Sequence, residues 1–466
     1  MLLALAATLA IVAQDHTVLR AAPRAQATEL TTLSQGEVVE VRDERGGYLK
    51  VYSYRRERGG YVKSELVRAL GLGESDAPGL LAVLRFLRDS RGAEALGISY
   101  GAAYLKAVPA GAPTAEALDA IARMAERLSD AASGSGAGHT QALAHLEVVQ
   151  QFGIHVRSFE RRGALQYCYD GELSRRLLSL PDAGIEERGR AVLALTRPDC
   201  VDPDLGILLR ASQDEERSRL LYSIDERRAS SLTASRLHAR RAAVWAGVAY
   251  GRTRRGDSGT AAAQRAMREL LAVRPEDLGD EHRAEYLDAL LRVGAIRWAA
   301  ITPPAQAGPL IVRTTAGVPG QTCVTLALAR EPSHPLIRRC TYGIVWAASA
   351  QSIAGGTALV LAVQPLESWR ELWIFHEAEE GWTVDMLPPG ASDPEQGYVE
   401  FAGFAPGTRR VLIAREVRER GSFSRHFEEL RLEDLLPVKH ASSPELLVDF
   451  GRWQDVAWRR DTLSLH

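Results

Sequence analysis

Residues 29–68 read ELTTLSQGEVVEVRDERGGYLKVYSYRRERGGYVKSELVR. The stretch alternates with a period of two. In GEVVEVRD, Val39 and Val41 share one face, and Val38, Glu40 and Arg42 take the other. In YLKVYSY, Leu49 and Val51 oppose Tyr48, Lys50 and Tyr52, and in GYVK Tyr61 and Val62 follow two glycines. Such alternation predicts short, half-buried strands. Ser34-Gln35-Gly36, Arg45-Gly46-Gly47 and Arg58-Gly59-Gly60 supply turns between them. Several strands this closely spaced predict a small barrel.

Residues Thr17 to Arg68 resemble a bacterial SH3 domain (SH3b). The opening strand and turn match TVLRAAPRAQ, and the apolar pair and Gly before a strand match ELTTLSQGEVVEV. GGYLKVY and the closing GGYVKSELV complete the order. Two departures stand out: the opening lacks the family's Gly at Thr17–Pro23, and Tyr48 replaces the usual Trp of the central strand. The resemblance implies an attachment role, with members binding cell-wall peptides or glycan, or docking one domain onto another. Tyr48, Tyr52, Tyr54 and Tyr61 are the candidate ligand-binding residues, since a tyrosine offers an apolar ring and a polar tip. The competing reading is that these rings only roof a small core.

The chain has 466 residues, too many for one core. Hydrophobic residues make up 46% and charged residues 25%, as in globular proteins. A net charge of −2 gives general nucleic-acid binding no electrostatic support. Residues Leu2–Ala13 form an apolar run of signal-peptide length, so residues 1–14 are expected to be a leader. No basic residue precedes the run, and the alternative is a buried first strand or helix. No stretch is long and apolar enough to predict an integral membrane span. The four cysteines allow three pairings. Proximity favours Cys168 with Cys200 and Cys323 with Cys340, bridges that need an oxidising compartment. A periplasmic or secreted protein is the expectation.

From residue 75 the period changes to that of helices. Leu80, Leu84 and Leu87 make one stripe; Leu118, Ile121, Ala125 and Leu128 make another, with Thr114 as the N-cap. SGSGAG at 133–138 breaks the pattern, which resumes to about residue 300. The Pro-rich ITPPAQAGP at 301–309 is read as a joint. Beyond it, TCVTLALA, TYGIVWAAS, TALVLAVQ, ELWIFHEA, GWTVDMLP, GYVEFAGF, RRVLIAREV and SRHFEELRL predict strands. The expected fold is multidomain: an all-β SH3-like barrel at 15–70, an irregular α-helical domain at 75–300, and an antiparallel β domain at 305–466. The last is either a sandwich or a partial propeller-like meander.

No catalytic constellation emerges. Gly256-Asp257-Ser258-Gly259 matches the nucleophile tetrapeptide of trypsin-like proteases, but it lies between helices, where Asp or Ser caps a helix. His376-Glu377-Ala378-Glu379-Glu380 lacks the second His of a zinc protease and follows a strand. His139 with His145, and His282 with Glu285, fall short of a metal site. No phosphate-binding or dinucleotide-binding loop occurs, so no cofactor is expected. The favoured reading is a non-enzymatic exported protein whose barrel attaches to a peptidoglycan peptide or an envelope protein. The alternatives are a cell-envelope hydrolase using residues such as Glu377, Asp385 or His426, and a cytosolic scaffold with free thiols.

Overall fold

The computed structural model describes residues 8–161, 163–301, 308–391 and 396–461. The chain divides into two compact units, residues 1–205 and 206–466.

The first unit begins with β1 (Thr8–Val12), β2 (Thr17–Arg20), β3 (Glu29–Leu33), β4 (Val38–Arg45), β5 (Tyr48–Ser53), β6 (Arg58–Lys63) and β7 (Val67–Leu70). They form one sheet in the order β3-β2-β6-β5-β4-β1-β7. Its core is Ala10, Val12, Leu19, Leu33, Val39, Val51, Val62 and Val67, the inward set of each alternation. A strand at Thr8–Val12 thus joins the same sheet ahead of residue 15. Residues 1–7 of the expected leader lie outside the described residues. The rest of it supplies β1, paired with β4 and β7, and Ala10, Ile11 and Val12 are fully buried. This strand is apolar on both faces because it serves two cores. Ala10 and Val12 fill the barrel, while Ile11 joins the helical core behind it.

That helical core is built by α1 (Ala77–Leu87), α2 (Glu94–Ala107), α3 (Ala115–Ser133), α4 (His139–Val149), α5 (Glu172–Ser179) and α6 (Ile185–Leu195). The predicted stripes of α1 and α3 are buried as expected. Thr114 sits at the N-cap of α3, but its side chain does not cap. Asp182 does instead, accepting from the N–H groups of Thr114 (2.9 Å) and Ala115 (3.0 Å). A carboxylate there also complements the positive end of the helix. Between α4 and α5 lies a hairpin the sequence reading did not anticipate, β8 (Val156–Arg161) and β9 (Ala164–Tyr169). Cys168 on β9 is bridged to Cys200, which follows α6, closing the base of the α5–α6 hairpin.

The second unit opens with α7 (Ile207–Tyr222), α8 (Ser231–Arg254), α9 (Thr260–Leu271) and α10 (Asp280–Ile296). The helical run expected as one domain is thus shared between the two units. The Pro-rich joint lies outside the described residues at 302–307. Next come β10 (Leu310–Ala316), β11 (Thr322–Leu328) and β12 (Glu331–Thr341), a three-stranded sheet. Cys323 and Cys340 face each other across β11 and β12 and are bridged. The larger sheet contains β13 (Ile344–Ile353), β14 (Ala358–Leu366), β15 (Trp369–Ala378), β16 (Gly381–Leu387), β17 (Gln396–Ala405), β18 (Arg410–Glu419), β19 (Ser422–Arg431) and β20 (Pro437–Ala441). Their order is β13-β14-β15-β17-β18-β19-β20, with β16 hairpinned onto β15. The pairing is antiparallel except where β15 meets β17. β17 to β20 form an antiparallel meander, and its first three strands fall on the runs GYVEFAGF, RRVLIAREV and SRHFEELRL.

Leu359, Leu361 and Val363 on one face of β14 pack with Leu310, Val312, Val324 and Leu326 of the smaller sheet, a sandwich contact. Val360 on the other face joins Ile374, Val399 and Ile413. Two short helices, α11 (Val448–Trp453) and α12 (Val456–Asp461), close the chain, and Phe450 and Trp458 pack edge-on against Phe427. Among the described residues, no helix is long and apolar enough to cross a membrane.

Candidate functional site

The barrel has two sides with different fates, and the register shows why. Residues directly opposite each other in an antiparallel pair point the same way. Tyr52 lies opposite Glu40 and Gly59, Lys50 opposite Tyr61, and Tyr48 opposite Lys63. These residues share the outer face of β4-β5-β6, while Leu49, Val51 and Val62 point inward.

On that face Tyr52 and Tyr54 meet edge to face with ring centroids 5.0 Å apart. The Arg42 guanidinium lies 4.4 Å above the Tyr52 ring. Glu40 ties the group together: Arg42 donates to it at 3.0 Å and the Tyr54 hydroxyl at 2.8 Å. The Arg42 and Tyr54 hydrogen bonds hold the Glu40 carboxyl below its ordinary range. The same carboxylate pushes the Tyr54 phenol up, so it stays a donor. The result is a charge-balanced aromatic surface on which the rings are held in place. Tyr54 is 66% exposed, Tyr52 and Tyr61 are half-buried, and Tyr48, at 9%, has little ring to offer. The structure brings Tyr52 and Tyr54 into contact and sets Tyr61 on the same face across Lys50. Such a surface suits stacking against a flat apolar face while the phenol tips exchange hydrogen bonds.

The other side is fastened to the helices. Gly36, at φ +83°, lets the turn before β4 touch α2: a Cβ there would fall 2.6 Å from the Ala95 carbonyl oxygen. Ser99 donates to the Gly36 carbonyl at 2.7 Å. Asp15 accepts from the Gln35 N–H at 2.9 Å and contacts His145 Nε2 at 2.8 Å. Burial pushes the Asp15 carboxyl up, but the Gln35 N–H and His145 outweigh it and hold it below its usual value. Arg55 bridges Glu37 (3.4 Å) and Glu147 of α4. Sequence reading missed Asp15, Ser99 and this role of His145, because partners as much as 130 residues apart leave no local pattern.

The remaining candidates lie elsewhere. Gly259 is the N-cap of α9 and no side chain caps it, contrary to expectation; Ser258 only accepts from the Thr260 N–H at 3.4 Å, and the protease-like tetrapeptide is a helix entry. His282 contacts Glu281, whereas Glu285 accepts from Arg236 and Arg240. His376 and Glu377 end strand β15, and Asp385 on β16 meets His376 Nε2 at 2.7 Å. His426 on β19 lies 3.5 Å from Glu428. Among the described residues, no group of three or more His, Cys, Asp or Glu converges to hold a metal ion.

The family model of the bacterial SH3 domain matches residues 15–68. No curated protein matches the chain, and neither does any solved structure.

Proposed function

We propose that this chain is a non-enzymatic exported attachment protein whose SH3-like barrel binds cell-envelope material, a peptidoglycan peptide or an envelope protein, through its outer tyrosine face. The observation that carries the reading is the two-sidedness of the barrel. One side is fixed to helices by Gly36, Asp15 and Arg55, and the other presents Tyr52, Tyr54 and Tyr61. Bacterial SH3 domains are binding modules, often of cell-envelope proteins, and two bridged cysteine pairs are compatible with an extracytoplasmic address.

The test uses the full chain, because β1 belongs to both the barrel and the helical core. Purified protein is incubated with insoluble peptidoglycan sacculi and sedimented. The expected result is retention of the parent chain and loss of retention for the double variant Tyr52→Ala/Tyr54→Ala, with thermal unfolding little changed. Equal retention of both proteins, or retention of neither by sacculi or by an envelope extract, overturns the tyrosine-face reading. Thiol titration of unreduced, denatured protein from cells tests the address: four free thiols overturn it.

A further inference from the structure

We propose that the tyrosine face of the barrel takes a peptide carboxylate, and that Lys50 is the residue that selects it. The inference rests on the attachment reading above and narrows it to one ligand chemistry. The register puts Lys50 at the centre of the face. Tyr61 lies directly opposite on β6, and Tyr52 lies two residues along β5. Directly opposite residues carry their Cβ atoms about 4.5–5.5 Å apart, and two residues of strand span about 7 Å. One small group placed over Lys50 is thus within reach of both phenols.

The hydrogen-bonding groups of this face fall into two sets. The first is spent on internal pairs. Glu40 accepts from Arg42 at 3.0 Å and from the Tyr54 hydroxyl at 2.8 Å. Asp43 stands directly opposite Lys50, yet it accepts from Arg45 and from the Glu44 N–H, each at 2.9 Å. Lys63 meets Glu65 and Arg20 meets Glu29, both at 3.2 Å. The second set has no hydrogen-bond or ion-pair partner among the described residues: the Lys50 ammonium and the Tyr52 and Tyr61 hydroxyls. Lys50 is exposed and both rings are half-buried. An ammonium only donates, and each phenol has a proton to give. A group that satisfies all three accepts hydrogen bonds and is negatively charged. A carboxylate meets both needs, with two acceptor oxygens and one charge against the one uncommitted cation. A ligand cation is repelled by Lys50, and a neutral glycan leaves it without a counter-charge. The Tyr52–Tyr54 ring pair beside Lys50 takes the apolar part of the same peptide.

The test sediments the full chain with sacculi in three forms: untreated, freed of phosphate polymers by hydrofluoric acid, and then amidated at their carboxyl groups with carbodiimide and ammonium chloride. The parent is expected to bind the first two alike and the amidated form about tenfold more weakly, the worth of one charged hydrogen bond. Lys50→Gln weakens binding to the carboxylated forms by the same factor, Lys50→Arg keeps most of it, and amidation costs Lys50→Gln nothing further. Thermal unfolding of both variants stays at the parent's temperature. The inference is overturned if amidation or Lys50→Gln leaves binding unchanged, if the two losses add, if hydrofluoric acid abolishes binding, or if untreated sacculi do not retain the parent. Tyr52→Ala/Tyr54→Ala separates this failure from that of the attachment reading, because it still abolishes retention when the carboxylate alone is wrong.

Discussion

Arg370 donates from Nη2 to Glu400 across 2.6 Å, and their side chains are 0% and 3% exposed. Arg370 also donates to the Gly294 carbonyl at 2.7 Å, so the pair pins α10 to the large sheet. Gly294 itself is packed so closely that a Cβ would fall 2.2 Å from the Tyr398 ring. Removing one partner of a buried pair strands the other charge. Arg297 meets the same carboxylate at 2.5 Å and is also buried, so Glu400→Ala strands two guanidinium groups and is expected to cost the second unit about 3–5 kcal/mol, whereas Arg297→Met/Arg370→Met/Glu400→Leu costs far less. Urea unfolding followed by tryptophan fluorescence checks this, since all eight tryptophans lie in that unit.

Ile11 is fully buried and belongs to the helical core, although it lies on a barrel strand. Ile11→Ala is expected to cost about 2–5 kcal/mol. The loss should appear as earlier unfolding of barrel and helices together. Hydrogen exchange that loosened the barrel alone would contradict the shared core.

The Cys168–Cys200 bridge closes a separation of 32 residues. Cys168→Ser/Cys200→Ser is expected to lower stability by about 4 kcal/mol on chain entropy, read by denaturant midpoint with and without reductant. Reductant should shift the parent chain and leave this bridge's contribution absent from the variant.

Asp15 titrates below its ordinary value because Gln35 and His145 outweigh its burial. A depressed folded value means the contribution is fully present above the unfolded carboxyl range, about pH 4. It is lost as pH falls through the lower folded value. Asp15→Asn should therefore destabilise the first unit at neutral pH and flatten its acid limb below about pH 4, as followed by thermal unfolding against pH.

Much of the fold was readable because its signals are local. Val39, Val51 and Val62 alternate with polar neighbours, and the α1 and α3 stripes recur at helical spacing. Other elements hide for physical reasons. α2 is buried on nearly every side and uses Gly97 and Gly101 to approach Met124 and Ile121, so it shows no apolar stripe. α7 turns Asp214 and Arg217 inward as a pair at 3.0 Å, which disguises its inner face as polar. β12 carries Pro332 and Pro335, which an edge strand tolerates and a sequence reading takes as a break. The tyrosine face was legible in its residues, but the near-burial of Tyr48 was not.

The turn at Gly36 has an evolutionary corollary. Its backbone nests against Ala95 and Ser99 with no space for a side chain. A lineage that swapped this barrel for another copy of the module would have to reproduce that seat, or re-carve α2 to fit. Grafting a barrel here thus demands a glycine-sized seat as well as a compatible fold.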